Sequence, residues 1–406
     1  MSLISALRFL TYNYSGYRFN ALLKTMKPPA QILQQFSVQL STDTRLCSHC
    51  MEQHSKITKI KQMQTGLFKN VKPTVRYFSS VKASKYEDTF PLRFIYLQTS
   101  VELWEEFPEG LQYDVGYVDT GFNNEVAKKF PVILGLPSSV ATHMQMEGPL
   151  LTFAKLGYRV IILNMPDSPL CRGRTKKDST VFEQSVLERS IFIRDFLNEI
   201  KVDRVDLLVA NSCSVYSAIH FTTYNKGLVS SLALLNPTGL DYTKDMRPVR
   251  MNKYLATFWG DRMILQELIV PFISLFKQLS SRKRDWSAFT VVTYAKVVSS
   301  LSFQDVSQDA KNFRLRKLPT LIVHGEDSTA FNKASSLEYL EELDLENAPT
   351  AQLEEGATVL EINKAVENKP RLRVFIPGKT KDLTDTNTVM LRRILLQFLK
   401  NIRPDL

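Results

Sequence analysis

Four cysteines in 406 residues are too few for a disulfide framework, and two of them, Cys171 and Cys213, lie in the body of the chain, as suits a reducing compartment. Long apolar runs are also missing. The best, 268–276, is interrupted by Pro271 and falls well short of the roughly 18–20 residues that span a bilayer. Membrane contact is therefore peripheral at most. No glycine-rich phosphate-binding loop is present, so no nucleotide or other cofactor is expected. Histidine is scarce: five in all, at 49, 54, 143, 220 and 324, and none after His324.

Acidic residues are nearly absent from one end. Residues 1–85 carry 13 basic side chains against Asp43 and Glu52, a net of +11. The whole chain has 52 basic and 41 acidic residues, also +11, so residues 86–406 balance at 39 of each. The surplus belongs to one segment and gives no reason to expect a nucleic-acid partner. Residues 1–78 are basic, rich in Ser and Thr, and lack the compact apolar core of a secretory signal. They read as a mitochondrial transit peptide. Arg76-Tyr77-Phe78-Ser79-Ser80 resembles a processing site and places the cut after Phe78. A positive helix is drawn toward a negative-inside matrix by the membrane potential, so the matrix is the expected location. Cys47, His49, Cys50 and His54 have metal-ligand spacing, but no second pair follows. Inside a cleaved segment they are incidental, and no metal site is expected.

Residues 79–111 read as an N-terminal extension. From 112 onward, short β-branched runs alternate with helical patterns. Strands are expected at 115–119, 131–134, 159–164, 205–210, 229–235, 320–324 and 373–376. Most are apolar on both faces, as strands between two helix layers must be. Helices are expected at 148–156, 179–200, 215–224, 335–342 and 388–401. The stretch 179–200 repeats apolar residues at three- and four-residue steps, which gives one apolar face. The order implies an α/β protein, with a mostly parallel sheet covered by helices on both faces. Residues 240–316 interrupt the alternation with a helical, aromatic insertion. Placed over the carboxyl ends of the strands, it would form a lid. The core then comprises 112–239 and 317–406.

The most informative stretch runs from Val205 to Val215. An apolar strand meets Asn211-Ser212-Cys213, then a helix follows. Ala210 and Ser214 stand two residues either side of Ser212. A strained nucleophile elbow needs small residues at those places, usually both glycine.

Here the sequence resembles the α/β-hydrolase superfamily, and within it a family of unknown function best represented in nematodes. The matching pieces are Tyr117-Val118-Asp119-Thr120-Gly121, Val132 to Ser139, Arg159 to Pro166, the elbow, Asn236-Pro237-Thr238-Gly239-Leu240 with Arg247-Pro248, and Leu321 to Gly325. They occur in the right order over 112–406. The resemblance implies an α/β-hydrolase fold with a helical lid, Ser212 as candidate nucleophile, and an oxyanion hole from the backbone N–H groups of Leu136 and Cys213.

The same resemblance exposes departures. A His-Gly pair opens the oxyanion loop of active relatives; here it is Leu134-Gly135. The triad acid is expected three residues after Gly325, at Ser328, with Asp327 one earlier as candidate acid. The triad histidine is expected where Lys381 stands. Lys381 itself, or His143 reaching in from beyond the oxyanion loop, is the remaining candidate base. His324 is expected in the core and His220 against the sheet. Two functions follow. One is a degenerate hydrolase-fold protein that keeps its pocket for a small apolar ligand or a protein partner. The other is an active esterase or thioesterase that uses Ser212 on an ester-like ligand with an unusual base.

Overall fold

The computed structural model describes residues 84–404, apart from 105–106, 123–130, 262–286, 326–332 and 377–382. The expected transit peptide, its cysteine–histidine cluster and the apolar run 268–276 lie outside the described residues. Ten strands form one sheet: β1 Leu92–Gln98, β2 Gln112–Asp119, β3 Val132–Leu136, β4 Arg159–Leu163, β5 Cys171–Gly173, β6 Leu207–Asn211, β7 Leu232–Leu235, β8 Thr320–Gly325, β9 Thr350–Gln352 and β10 Arg371–Ile376. The order is β1-β2-β4-β3-β6-β7-β8-β10-β9, with β5 paired to β2. β2 is antiparallel to β1, β4 and β5; the pairs from β4 through to β9 are parallel. The sheet thus begins within the segment expected to be an extension, because β1 pairs along its whole length with β2.

Helices follow as α1 Met144–Lys155, α2 Lys176–Val181, α3 Val186–Glu199, α4 Ser214–Tyr224, α5 Val249–Asp261, α6 Ala288–Ser300, α7 Phe303–Arg314, α8 Lys333–Glu342, α9 Val359–Val366, α10 Leu383–Thr386 and α11 Thr388–Ile402. The strands' alternation divides the core in two. Leu134, Leu136, Leu208, Ala210, Leu232 and Leu234 face one layer with α3, α4, α7 and α8. Ile133, Leu207, Val209, Ala233 and Leu235 face the other, with α1, α9 and α11. Burial on both faces explains the unbroken apolar runs of β6 and β7.

The single helix expected at 179–200 is two. Phe182 is extended, Gln184 has φ 68°, and Ser185 starts α3 with a capping box. The Ser185 hydroxyl accepts from the Glu188 N–H at 3.2 Å, and the Glu188 carboxylate accepts from the Ser185 N–H at 2.9 Å. Phe182 leaves the helical path to stack on Trp104 and meet Tyr113 and Phe192 edge-on. Ser185→Ala is expected to lower unfolding stability by about 1 kcal/mol. A denaturation midpoint equal to wild type would show that the cap contributes nothing.

The described parts of the stretch between β7 and β8 include α5, α6 and α7, of which α7 is part of the main layer. Its Val306, Ala310 and Phe313 join the core beside α4, and Asn312 donates to the Tyr224 hydroxyl at 3.2 Å. α5 and α6 pack on each other through Trp259, Val292 and Phe289. α6 is fastened to the loop after β4. Thr293 donates to the Asp167 carbonyl at 3.2 Å, and the buried Lys296 ammonium donates to the Phe182 carbonyl at 2.9 Å, 3.8 Å from the Asp167 carboxylate. The insertion is therefore anchored at the carboxyl end of the sheet.

Candidate active site

β6 delivers its last residue, Asn211, to a turn in which Ser212 has φ 54°, a left-handed conformation that costs a non-glycine residue roughly 1–3 kcal/mol. Two backbone bonds hold it there. The Ser212 N–H donates to the Leu235 carbonyl at 2.8 Å, and its carbonyl accepts from the Val215 N–H at 3.1 Å. Ala210 and Ser214, at 0% and 1% exposure, leave no room for larger side chains. The spacing seen in the sequence is thus the steric requirement of a strained strand–turn–helix. Ser212 is half-buried at the start of α4, where helix N–H groups favour negative charge.

The loop after β3 lies alongside. Leu136 ends β3 and pairs with Ala210 in register, and Cys213 caps α4 two residues past the end of β6, so the two expected oxyanion donors follow from neighbouring strands. Gly135 makes room for α1, since a Cβ there would stand 2.8 Å from a Leu150 methyl, which would have to shift. The loop is tied down from three sides. The Ser138 N–H donates to Gln145 at 2.7 Å, the Pro137 carbonyl accepts from the Ser214 hydroxyl at 2.5 Å, and the Ser139 hydroxyl accepts from the Arg189 guanidinium at 2.8 Å. Residues 236–240 brace the other side. Asn236 accepts from the Gly325 N–H at 2.9 Å, and the Tyr216 hydroxyl bonds Thr238 and the Gly239 carbonyl.

No family model matches the chain, and no curated protein matches it. Solved structures do. A haloalkane dehalogenase from Bradyrhizobium elkani is similar over 78% of this chain and 100% of its own, at 11% identity and a TM-score of 0.51. A carboxylesterase from the ammonia-oxidizing thaumarchaeon Nitrososphaera gargenis is similar over 77% of this chain and 100% of its own, at 14% identity and a TM-score of 0.50. Both are α/β-hydrolase superfamily members.

The chain has the α/β-hydrolase fold.

In that fold the acid and the histidine follow the strands that are β8 and β10 here. Asp327 and Lys381, the residues expected at those places, lie outside the described residues. The histidines that are described are engaged elsewhere. The Ser212 hydroxyl lies 4.0 Å from the Cys213 sulfur, and no imidazole bonds it among the described residues.

His143 ends the loop before α1. Asn164 accepts from the His143 backbone N–H at 2.7 Å, and its amide donates to the Gly116 carbonyl at 2.6 Å. That orientation presents the amide N–H to His143 Nδ1, 3.4 Å away. The proton therefore sits on Nε2, which faces Glu147 at 3.4 Å. Nδ1 is met by the Asn164 amide, while Nε2 stands near Glu147 without hydrogen-bonding its Oε1. Burial pushes His143 down to about 4 and the Glu147 carboxyl up. His220 lies two turns along α4 against Tyr224, with ring centroids 4.5 Å apart, and is pushed down to about 4 by burial. His324, fully buried in β8, stacks on Phe375 and is pushed down to about 3 by burial and by Arg373. A general base works best with a pKa near the operating pH, and these three are much weaker.

Sequence reading missed Asn164, Glu147 and above all Arg189. Arg189 had a signal. It falls three and four residues before Phe192 and Ile193, on the apolar stripe of α3, where a charged residue is out of place. A cleft of about 660 Å³ lies beside α1 and α11, lined by Lys85, Gln145, Glu147, Asp385 and Arg392 among others. Ser212 is not in its lining.

Proposed function

We propose that this hydrolase-type scaffold has lost its serine chemistry and keeps the site over Ser212 to bind a small apolar ligand or a protein partner. The observation that carries this is the lack of any histidine after His324 in the sequence; the strained Ser212 hydroxyl meets only Cys213 among the described residues. Lys381 at the triad histidine position and Leu134 in place of the loop histidine support it. Losing the histidine from a Ser–His–Asp site costs on the order of a millionfold in turnover. Lys381 would serve instead only if burial lowered it from about 10.4. The insertion above the sheet's carboxyl end supplies apolar lining as a lid. The basic segment 1–78 supports transport to the mitochondrial matrix, and residues 236–240 carry the finer likeness to the family best represented in nematodes.

The alternative is an active esterase or thioesterase. The preserved strain at Ser212 and the tethered oxyanion loop favour it. Treatment of the full chain with a fluorophosphonate probe, beside Ser212→Ala, separates the two. The proposal expects no labelling of either protein. Labelling of the wild type alone would establish an activated Ser212 and overturn it.

A further inference from the structure

Arg189 is 2% exposed and lies at the junction of α3, the oxyanion loop and the elbow helix. Its Nη1 donates to Ser139 at 2.8 Å and its Nη2 to Ser214 at 3.0 Å. Its Nε has no hydrogen-bond partner. No carboxylate pairs with it among the described residues. The one ionisable neighbour acting on it is the Cys213 thiol, which burial pushes up and so keeps neutral at physiological pH. The guanidinium, lowered only to about 10, stays charged. A buried cation whose only hydrogen-bond partners among the described residues are two neutral hydroxyls is electrostatically unfinished there.

Everything around it leans the same way. Ser139 and Ser214 link Arg189 to the two segments that carry the oxyanion donors, Leu136 and Cys213. The N-terminus of α4, eleven residues long, adds its own positive end beside Ser212. In a water-poor interior these sources act together over several ångströms. A neutral ester draws little from such a field in its ground state, whereas a bound anion draws on all of it.

We infer that the site over Ser212 takes a carboxylate, an acid with an apolar tail, and that Arg189 is the counter-charge set behind it. This deepens the binding reading above and rests on it. Arg189 is a positioning residue, because the elbow and the oxyanion loop stand between it and the ligand.

The test compares octanoate with octanamide, which share a tail and head-group size, by calorimetric titration of the full chain. Octanoate is expected to bind the wild type about tenfold tighter or more, as a charged acceptor should. Arg189→Met is expected to bring octanoate down to the variant's own octanamide affinity, and Arg189→Lys to keep part of the preference. Equal affinities in the wild type would overturn the inference without any variant. So would a preference that survives Arg189→Met, or no binding of either compound. Fluorophosphonate labelling reports separately on the reading beneath: a labelled Ser212 with the octanoate preference intact sinks the loss of chemistry and leaves the carboxylate site standing.

Discussion

Hydrolysis of a short nitrophenyl ester by the full chain is expected to proceed at the same rate in wild type and Ser212→Ala. A working serine hydrolase would separate the two by roughly a millionfold, the cost of removing the base or the nucleophile from a cooperating set. The basis is geometric first. His143 is buried at the start of α1, with Nδ1 against the Asn164 amide and Nε2 3.4 Å from Glu147. His324 is stacked in the sheet on Phe375, and His220 lies two turns along α4 against Tyr224. It is then chemical. Bases pushed down to about 3 or 4 hold a proton too weakly to draw one from a hydroxyl at neutral pH. His143→Ala is accordingly expected to leave the ester rate unchanged while lowering stability, because removal of the buried ring leaves a cavity and takes from the Asn164 amide its Nδ1 acceptor, although the backbone N–H bond to Asn164 remains. A wild-type rate that exceeds Ser212→Ala tenfold, measured with both proteins folded by circular dichroism, would restore the enzyme reading. His143→Ala would then tell whether that histidine is the base.

The elbow was legible in the sequence because its demands are local. Ala210, Ser212 and Ser214 sit within five residues, and the steric limit that forces small neighbours acts at that range. The buried strands were legible for a similar reason: β6 and β7 are apolar at nearly every position. The edges were less so. β1 mixes Arg93, the exposed Phe94 and Tyr96, and a single buried residue, Leu97, so its alternation is shallow. β9 has three residues and one buried side chain. The break between α2 and α3 was written in Ser185 and Glu188, yet the apolar period runs straight through it and masks it. The polar frame of the site was the least legible part. Arg189 meets Ser139 across 50 positions and Ser214 across 25, and Asn164 meets His143 across 21. Such pairs exist only once the sheet has brought β3, β4 and β6 side by side.

Arg189 is also expected to weaken the protein that carries it. Arg189→Met should make the unliganded chain more stable by roughly 1–3 kcal/mol, since several kcal/mol of desolvation are relieved and two hydrogen bonds are lost. The bonds are replaceable. The Ser214 hydroxyl keeps its 2.5 Å bond to the Pro137 carbonyl, and the Ser139 hydroxyl keeps its contact with the Cys213 sulfur. Methionine follows the arginine's stem and fills most of its volume with no polar atom to satisfy. Urea unfolding of both proteins, without ligand and then with saturating octanoate, checks this. The variant should lead without ligand, and the gap should narrow or reverse with octanoate, because ligand binding stabilises only the protein that prefers it. A variant less stable than wild type under both conditions would mean that the guanidinium is a structural tie between the oxyanion loop and the elbow. If Arg189→Met stabilises the empty chain, then a cation kept at that cost, bonded to both the loop after β3 and the helix after Ser212, is the mark of a site maintained for a charge it does not itself contain.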